Sequence, residues 1–284
     1  SPSSGVTTAE ILTGTVTASD PDGGTPSLTY TWTNGATTLG TGSGLALTPT
    51  SCSPGDSITC TATAADADGG FDVDTASAVV VNSPPVITSV SITPDPAFAA
   101  DTLMCSYSGY SDPDGDADAS TYSWTVNGSA AGTSSTLAGS FVGTDAVACT
   151  ATPFDGTDTG APVSDSQVIS NTPPELDDVT LTPSPAYEGD SLTCAPGISS
   201  DDDGDSVGYT YAWLVEGVDP GETTSTLSST WFDRDETVYC MVTPSDGTDD
   251  GATVASNSVI ISNSAPSIAS VSISPSSPSA SDTL

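Results

Sequence analysis

The feature that most constrains this chain is a long internal repeat. Asn82-Ser83-Pro84-Pro85 returns as Asn171-Thr172-Pro173-Pro174 and again as Asn263-Ser264-Ala265-Pro266, at spacings of 89 and 92 residues. A period that long is the size of a whole domain with its own core, not of the small units that stack into solenoids. Laying the copies over one another fixes their register. Cys105 matches Cys194, and Asp112-Pro113-Asp114-Gly115-Asp116 matches Asp201-Asp202-Asp203-Gly204-Asp205. Trp124 matches Trp213, Cys149 matches Cys240, and Asp155-Gly156-Thr157-Asp158 matches Asp246-Gly247-Thr248-Asp249. A less complete copy precedes them, with Asp20-Pro21-Asp22-Gly23, Trp32, Cys60 and Asp66 at matching intervals. The expected domains are 1–81, 82–170 and 171–262, with 263–284 holding the first strands of a fourth copy. Residue 1 enters a copy after its opening segment, and Leu284 falls just ahead of the next copy's first cysteine position, so the chain reads as a window on a longer array.

Within each copy, short runs rich in Val, Ile, Thr and Tyr are separated by Gly, Pro and Asp turns, and no stretch sustains a helical period. Tyr122-Ser123-Trp124-Thr125-Val126 and Ala146-Val147-Ala148-Cys149-Thr150 are representative. This pattern predicts an all-β sandwich in each copy, hence a linear array of sandwiches. Cys105…Trp124…Cys149 and Cys194…Trp213…Cys240 have the order and spacing of the immunoglobulin fold. That resemblance implies disulfides joining the two sheets, Cys105 to Cys149 and Cys194 to Cys240, each covered by an indole. In a copy of about 90 residues, whose core is modest, such a bridge adds about 2–4 kcal/mol.

The first copy departs from this plan. Ile11, Thr13, Thr15 and Thr17 alternate along its second strand, with Thr13 standing where the other copies have their first cysteine. Cys60 therefore lacks its usual partner, and Cys52, eight residues upstream, is the natural substitute; a cross-link to another chain is the rival. Cysteines that pair within copies imply an oxidising compartment. Asn127-Gly128-Ser129 is a glycosylation sequon, a short pattern that also arises by chance.

Charge narrows the partners. The chain carries 37 acidic residues, one base (Arg234) and no histidine, for a net charge of −36. No basic patch can be built, which excludes nucleic acid as a partner and disfavours insertion at an anionic membrane. Arg234, beside Asp233, Asp235 and Glu236, reads as a surface ion pair. Self-repulsion on this scale opposes compaction unless cations offset it. A solvated acidic surface in a salty medium is one reading, since screening there acts within about 8 Å. The other is bound Ca²⁺, because the acids are clustered in matching turns. Calcium takes six to eight hard oxygen ligands. Two loops at one end of each sandwich would bring Asp112, Asp114, Asp116, Asp155 and Asp158 together in the second copy. The third copy offers Asp201, Asp203, Asp205, Asp246 and Asp249, and the first a weaker set of Asp20, Asp22, Asp66 and Asp68. The Asn-Ser/Thr-Pro linker enters at that same end. Asp-Pro-Asp-Gly also makes good turns with no metal at all, and the spacing is not that of an EF-hand.

Asp20-Pro21-Asp22-Gly23 before Leu28-Thr29-Tyr30-Thr31-Trp32, and Asp112-Pro113-Asp114-Gly115-Asp116 before Tyr122-Ser123-Trp124, resemble the PKD-like and cadherin-like immunoglobulin-type repeats of bacterial surface proteins. The resemblance implies seven-stranded sandwiches, often Ca²⁺-binding, used in stalks, fibres and spacers at the cell surface. Disulfides are a departure, since many such repeats are aliphatic there. Catalysis finds little support: without His or Lys the usual nucleophile–base pairs cannot be assembled, and although paired carboxylates can hydrolyse glycosides, these acids lie in turns repeated in every copy, where a thrice-copied active site is improbable. Two roles remain open. One is a structural array or filament that associates with copies of itself; the other is an adhesin or carbohydrate-binding module that presents loops to a glycan or cell-surface ligand. Trp231, which has no counterpart in the other copies, is the one distinctive aromatic for such a ligand, although its place before a strand corner suits a core role equally well. The apolar face of the last segment (Ile268, Val271, Ile273) needs a partner sheet, either in the remainder of its own domain or in a neighbouring chain by strand addition.

Overall fold

The structure, a computed structural model, describes residues 5–272. It is all-β, with tandem immunoglobulin-like sandwiches, and divides into two compact units, residues 1–170 and 171–284. The first unit holds two separate hydrophobic clusters and the second holds one. Among the described residues no helix is long and apolar enough to cross a membrane.

The second copy displays the plan most fully. One sheet runs in the order Ser129–Gly132, Thr121–Val126, Ala146–Thr152, Val163–Val168, and the other in the order Thr136–Ala138, Thr102–Ser108, Ser89–Thr93. Alternation does the sorting. Along Ala146–Thr152 every second residue (Val147, Cys149, Ala151) is buried, as a period-two strand with one face on the core requires. Cys149 lies opposite Trp124 in register and is bonded to Cys105 on the other sheet. Trp124 is 1% exposed, its indole nitrogen donating to the Ser134 carbonyl at 2.8 Å. The third copy repeats this with Trp213, the Cys194–Cys240 bond and the long strand Thr237–Ser245. Trp213 donates to Thr224 O.

The first strand of the second copy is shorter than the run Val86–Ile92 suggests. It begins at Ser89, while Val86 makes only an isolated bridge to Ser111. Residues 263–272 form no strand, and Ile268 and Val271 are 81% and 80% exposed. Ile273 and the rest of the expected fourth-copy strands lie outside the described residues.

Two expectations about the first copy fail. Its second strand spans only Ile11–Thr13, and the inward residue is Leu12, not Ile11, which is 74% exposed. A one-residue slip in phase exchanges the two faces of a strand. The position equivalent to Cys105 is consequently Gly14, not Thr13: a Cβ on Gly14 would lie 3.1 Å from Cys60 Sγ. The Cys52–Cys60 bridge does not form either; both thiols are free and buried. Cys52 sits in the turn after Thr48, its sulfur 3.6 Å from the Thr48 carbonyl. Cys60 lies two residues beyond the inward Ile58 on an extended strand, roughly 7 Å further along the core. Burial pushes the Cys60 thiol upward, because apolar surroundings disfavour the thiolate.

Candidate metal centre

The acidic turns fold locally before they meet anything else. Asp112 accepts the backbone amides of Asp114 at 2.7 Å and Asp116 at 3.3 Å on one oxygen, while its own carbonyl takes the Gly115 amide. Gly115 can close this turn because it tolerates a φ of 83°. The turn curls around the first aspartate, so carboxylate oxygens of Asp112, Asp114 and Asp116 come within 4.8 Å of one another. The second oxygen of Asp112 is buried without a hydrogen-bond partner. Asp201 has the same fate in the third copy: one oxygen accepts from Asp203 and Asp205, and the other is buried and unsatisfied. An orphaned anionic oxygen is costly, and it recurs at the same position of two copies; in the second copy the grouped carboxylates of Asp112, Asp114 and Asp116 could hold a metal ion.

The second acidic turn is tied to the linker. Asp155 accepts from Thr157 N and Asp158 N on one oxygen. Its other oxygen, and one of Asp158, receive the side-chain amide of Asn82, both at 2.9 Å. Asn171 does the same for Asp246 at 2.8 Å and Asp249 at 3.0 Å. The next linker residue reaches the first turn: Ser83 N donates to Asp114, and Thr172 N to Asp203, each at 2.6 Å. Linker and both loops therefore form one polar cluster in each case. In the first unit a residue of the first copy joins as well. Thr8, fully buried, shares its hydroxyl proton between the Pro113 carbonyl and Asp114.

Electrostatics separate the two turns. Burial first, then the charges of Asp112, Asp114 and Asp155, hold Asp116 above the ordinary carboxylate value. Burial pushes Asp155 the same way, but hydrogen bonds from Asn82, Asp158 and Thr157 outweigh it and leave the group below its usual range. Asn171 and the amides of Asp249 and Thr248 depress Asp246 likewise. Burial and the surrounding carboxylates also raise Tyr110, whose hydroxyl is buried without a partner.

Of the expected ligands, Asp112, Asp114 and Asp116 alone form a three-acid group within ligand reach among the described residues. Asp155 and Asp158 are taken up by Asn82. Asp201, Asp203 and Asp205 repeat the turn but spread wider. In the first copy Asp22, Asp66 and Asp68 are exposed and Asp20 is half-buried, and the acids cap their own turns: Asp20 accepts from Asp22 N, and Asp66 from Asp68 N and Gly70 N. Reasoning from the sequence placed the linker at this end but missed Asn82, Asn171 and Thr8 as participants. The recurring Asn at the head of each Asn-Ser/Thr-Pro-Pro was the available signal; Thr8 had none. Asn127 lies in the turn between two strands at φ 49°, donating to Asp145 at 2.6 Å and accepting from Ala146 N. Arg234 forms an exposed ion pair with Asp235 at 3.1 Å. Trp231 is 44% exposed, while the adjacent Phe232 enters the core.

No family model matches the chain, and no curated protein matches it. Solved structures that resemble it are distant. A Ca²⁺-stabilized adhesin with which an Antarctic bacterium binds ice is 17% identical, with a TM-score of 0.32 over 84% of this chain, which spans 66% of that one. The first eight immunoglobulin domains of Down Syndrome Cell Adhesion Molecule are 16% identical, with a TM-score of 0.41 over 92% of this chain and 36% of that one. Three N-terminal domains of the outer capsid protein Hoc of bacteriophage RB49 are 16% identical, with a TM-score of 0.32 over 92% and 96%. Scores this low add nothing to what the strands and disulfides establish.

Proposed function

We propose that the chain is a non-enzymatic structural array of PKD-like or cadherin-like modules, 1–81, 82–170 and 171–262, that serves outside the cell as part of a filament, stalk or surface fibre. Disulfides hold the second and third modules closed, and Ca²⁺ stiffens the clusters where linkers meet acidic turns. The observation that carries this reading is the buried, unpartnered oxygen of Asp112 beside Asp114 and Asp116, in a cluster that also holds Thr8 and Ser83. Every available donor there is a carboxylate, carbonyl or hydroxyl oxygen. Such a set suits a hard cation and not zinc or copper. Asp112, Asp114 and Asp116 would hold the ion in the second module, and Asp201, Asp203 and Asp205 in the third. The ion would supply positive charge to groups that otherwise repel, and no reaction.

Calorimetric titration with Ca²⁺, alongside melting in Ca²⁺ and in chelator, tests the reading. Binding together with a raised melting temperature is expected, and Asp112→Asn should remove the site in the first unit alone. An unchanged melting temperature and no heat of binding would refute it. A second reading, an adhesin or carbohydrate-binding module, draws on the half-exposed Trp231. Glycan binding lost in Trp231→Ala would favour that role.

A further inference from the structure

The third copy leaves one sheet edge uncapped. In the first copy, Thr37–Thr41 pairs along residues 31–34, and Gly42 N donates to the Tyr30 carbonyl. In the second, Ser129–Gly132 pairs along residues 124–126. The equivalent strand of the third copy, Gly208–Val215, ends its sheet, and among the described residues its one partner strand is Thr237–Ser245. A capping strand begins with a single bridge, Val215 to Val218, and goes no further. Asp219-Pro220-Gly221 follows, and Pro220 has no amide with which to continue a ladder. The chain then crosses to the other sheet, where Thr226–Leu227 pairs with Leu192 and Thr193.

The register names the groups left open. Cys240 gives its amide to Ser256 Oγ and its carbonyl to Ser256 N. Trp213 stands opposite Cys240, so its own amide and carbonyl point to the open side, as those of Val215 point to Val218. Period two turns Tyr211 and Tyr209 the same way. Three residues thus present a row of donors and acceptors over about 14 Å. The strand carries neither a charge nor a proline, two devices that guard exposed edges. Its outward residues Thr210, Ala212 and Leu214 are uncharged, and so are Thr243, Met241 and Tyr239 opposite them.

Acids stand at both ends of this neutral strand. At the Gly208 end an open cavity of ≈ 420 Å³ is lined by Ser206, Gly208, Tyr209, Ser245, Asp246 and Gly247 among others. At the Val215 end, Asp219 and Glu222 lie in the segment that leaves the edge, with Asp219 exposed. A second copy of this chain pairing antiparallel along the same edge would bring Asp219 of each molecule toward Asp246 of the other, and like charges so placed reject a partner. A strand with lysine or arginine at its flanks meets attraction at both ends instead. We propose that Gly208–Val215 is a strand-addition site for an extended segment of a partner protein, uncharged over about five residues and basic on either side. The main chain of Tyr209, Tyr211 and Trp213 supplies the ladder, and Asp246, Asp219 and Glu222 select the flanks. The site goes beyond the array reading and needs no Ca²⁺.

Titration of the full chain with a synthetic peptide, Thr-Val-Thr-Val-Thr with two lysines at either end, tests the inference by amide exchange. At millimolar peptide the amides of Tyr209, Tyr211 and Trp213 should exchange at least about tenfold more slowly, in Ca²⁺ and in chelator alike. The same core flanked by glutamates should bind at least about tenfold more weakly. Methylating alternate peptide nitrogens should abolish the protection, since the ladder loses its donors. Asp219→Asn with Glu222→Gln, at positions outside the core, should weaken the lysine peptide and flatten its salt dependence. Unprotected amides at all three residues overturn the inference, and so does equal binding of the glutamate-flanked peptide. Protection of the same amides in the chain alone, rising with its concentration alongside a doubled mass in sedimentation, overturns the choice of partner in favour of a second copy. Peptide protection that persists while Ca²⁺ shows no effect on melting supports strand addition and counts against the cation reading alone.

Discussion

Replacing Gly14 by cysteine should give the first copy the bridge that the other two possess. The geometry is specific. In a disulfide, the Cβ of one residue lies about 3.0 Å from the sulfur of its partner, given an S–S bond of about 2.05 Å and near-tetrahedral sulfur. A Cβ built on Gly14 lies 3.1 Å from Cys60 Sγ. The same Cβ meets the Tyr30 ring at 3.2 and 3.3 Å, so that ring must yield by a few tenths of an ångström. Tyr122 sits at the matching place beside the Cys105–Cys149 bond, which indicates that the arrangement is tolerable. The new loop would span 46 residues, against 44 and 46 in the native bridges. Chain entropy for a loop of that size gives about 4 kcal/mol, and engineered bridges commonly deliver less. The assay is oxidative refolding of Gly14→Cys in a Cys52→Ala background, with peptide mapping and hydrogen exchange. A Gly14→Cys bond to Cys60 should appear, and amides of Ser57–Ala65 should exchange at least about tenfold more slowly, the full 4 kcal/mol corresponding to nearly a thousandfold. Free thiols after oxidation, or faster exchange once bridged, would refute the placement of Gly14 over Cys60.

Three further outcomes follow from the acidic cluster. Asp116 titrates above the ordinary 3.8 in the folded state, so without a cation stability falls as pH rises through that raised value; Asp116→Asn should therefore raise the melting temperature at pH 7 in chelator, lower it in Ca²⁺, and change nothing well below pH 3.8 in chelator. Asp155 has the opposite sign: the stability supplied by the Asn82 clamp is complete above pH 3.8 and disappears as pH falls through its depressed folded value, so acid unfolding of Asn82→Ala should converge on wild type only in strong acid. Thr8→Val keeps the side-chain shape but removes the hydroxyl that serves Pro113 and Asp114, and denaturant unfolding of the first unit should show a loss of about 1–3 kcal/mol.

Much of the fold was legible because its signals are local and repeated. The alternation around Val147, Cys149 and Ala151 names a core face without any knowledge of what covers it. Where a signal was isolated, the reading slipped. The short strand Ile11–Thr13 has few alternating positions to set its phase, and a threonine was put in the place that Gly14 occupies. Cys52 was paired with Cys60 because the two are near in sequence, whereas the extended strand between them carries one away from the other. At the candidate centre the aspartates were evident from their motif. Asn82 and Thr8 were not, because a neutral side chain becomes a ligand-cluster residue only through the partners it meets.

By itself the sequence determined the repeat, the all-β character, the cysteine-to-tryptophan spacing and the excess of carboxylates. All of these are properties of a strand or turn read within a few residues, or of plain counting. Tertiary structure decided which oxygens remain buried without partners, which amides of the linker serve an acidic turn, and which residue of the first copy faces Cys60. Those outcomes depend on segments about 20 to more than 100 positions apart meeting in space, and the energy of a buried polar atom or an open sheet edge is set by what stands across from it.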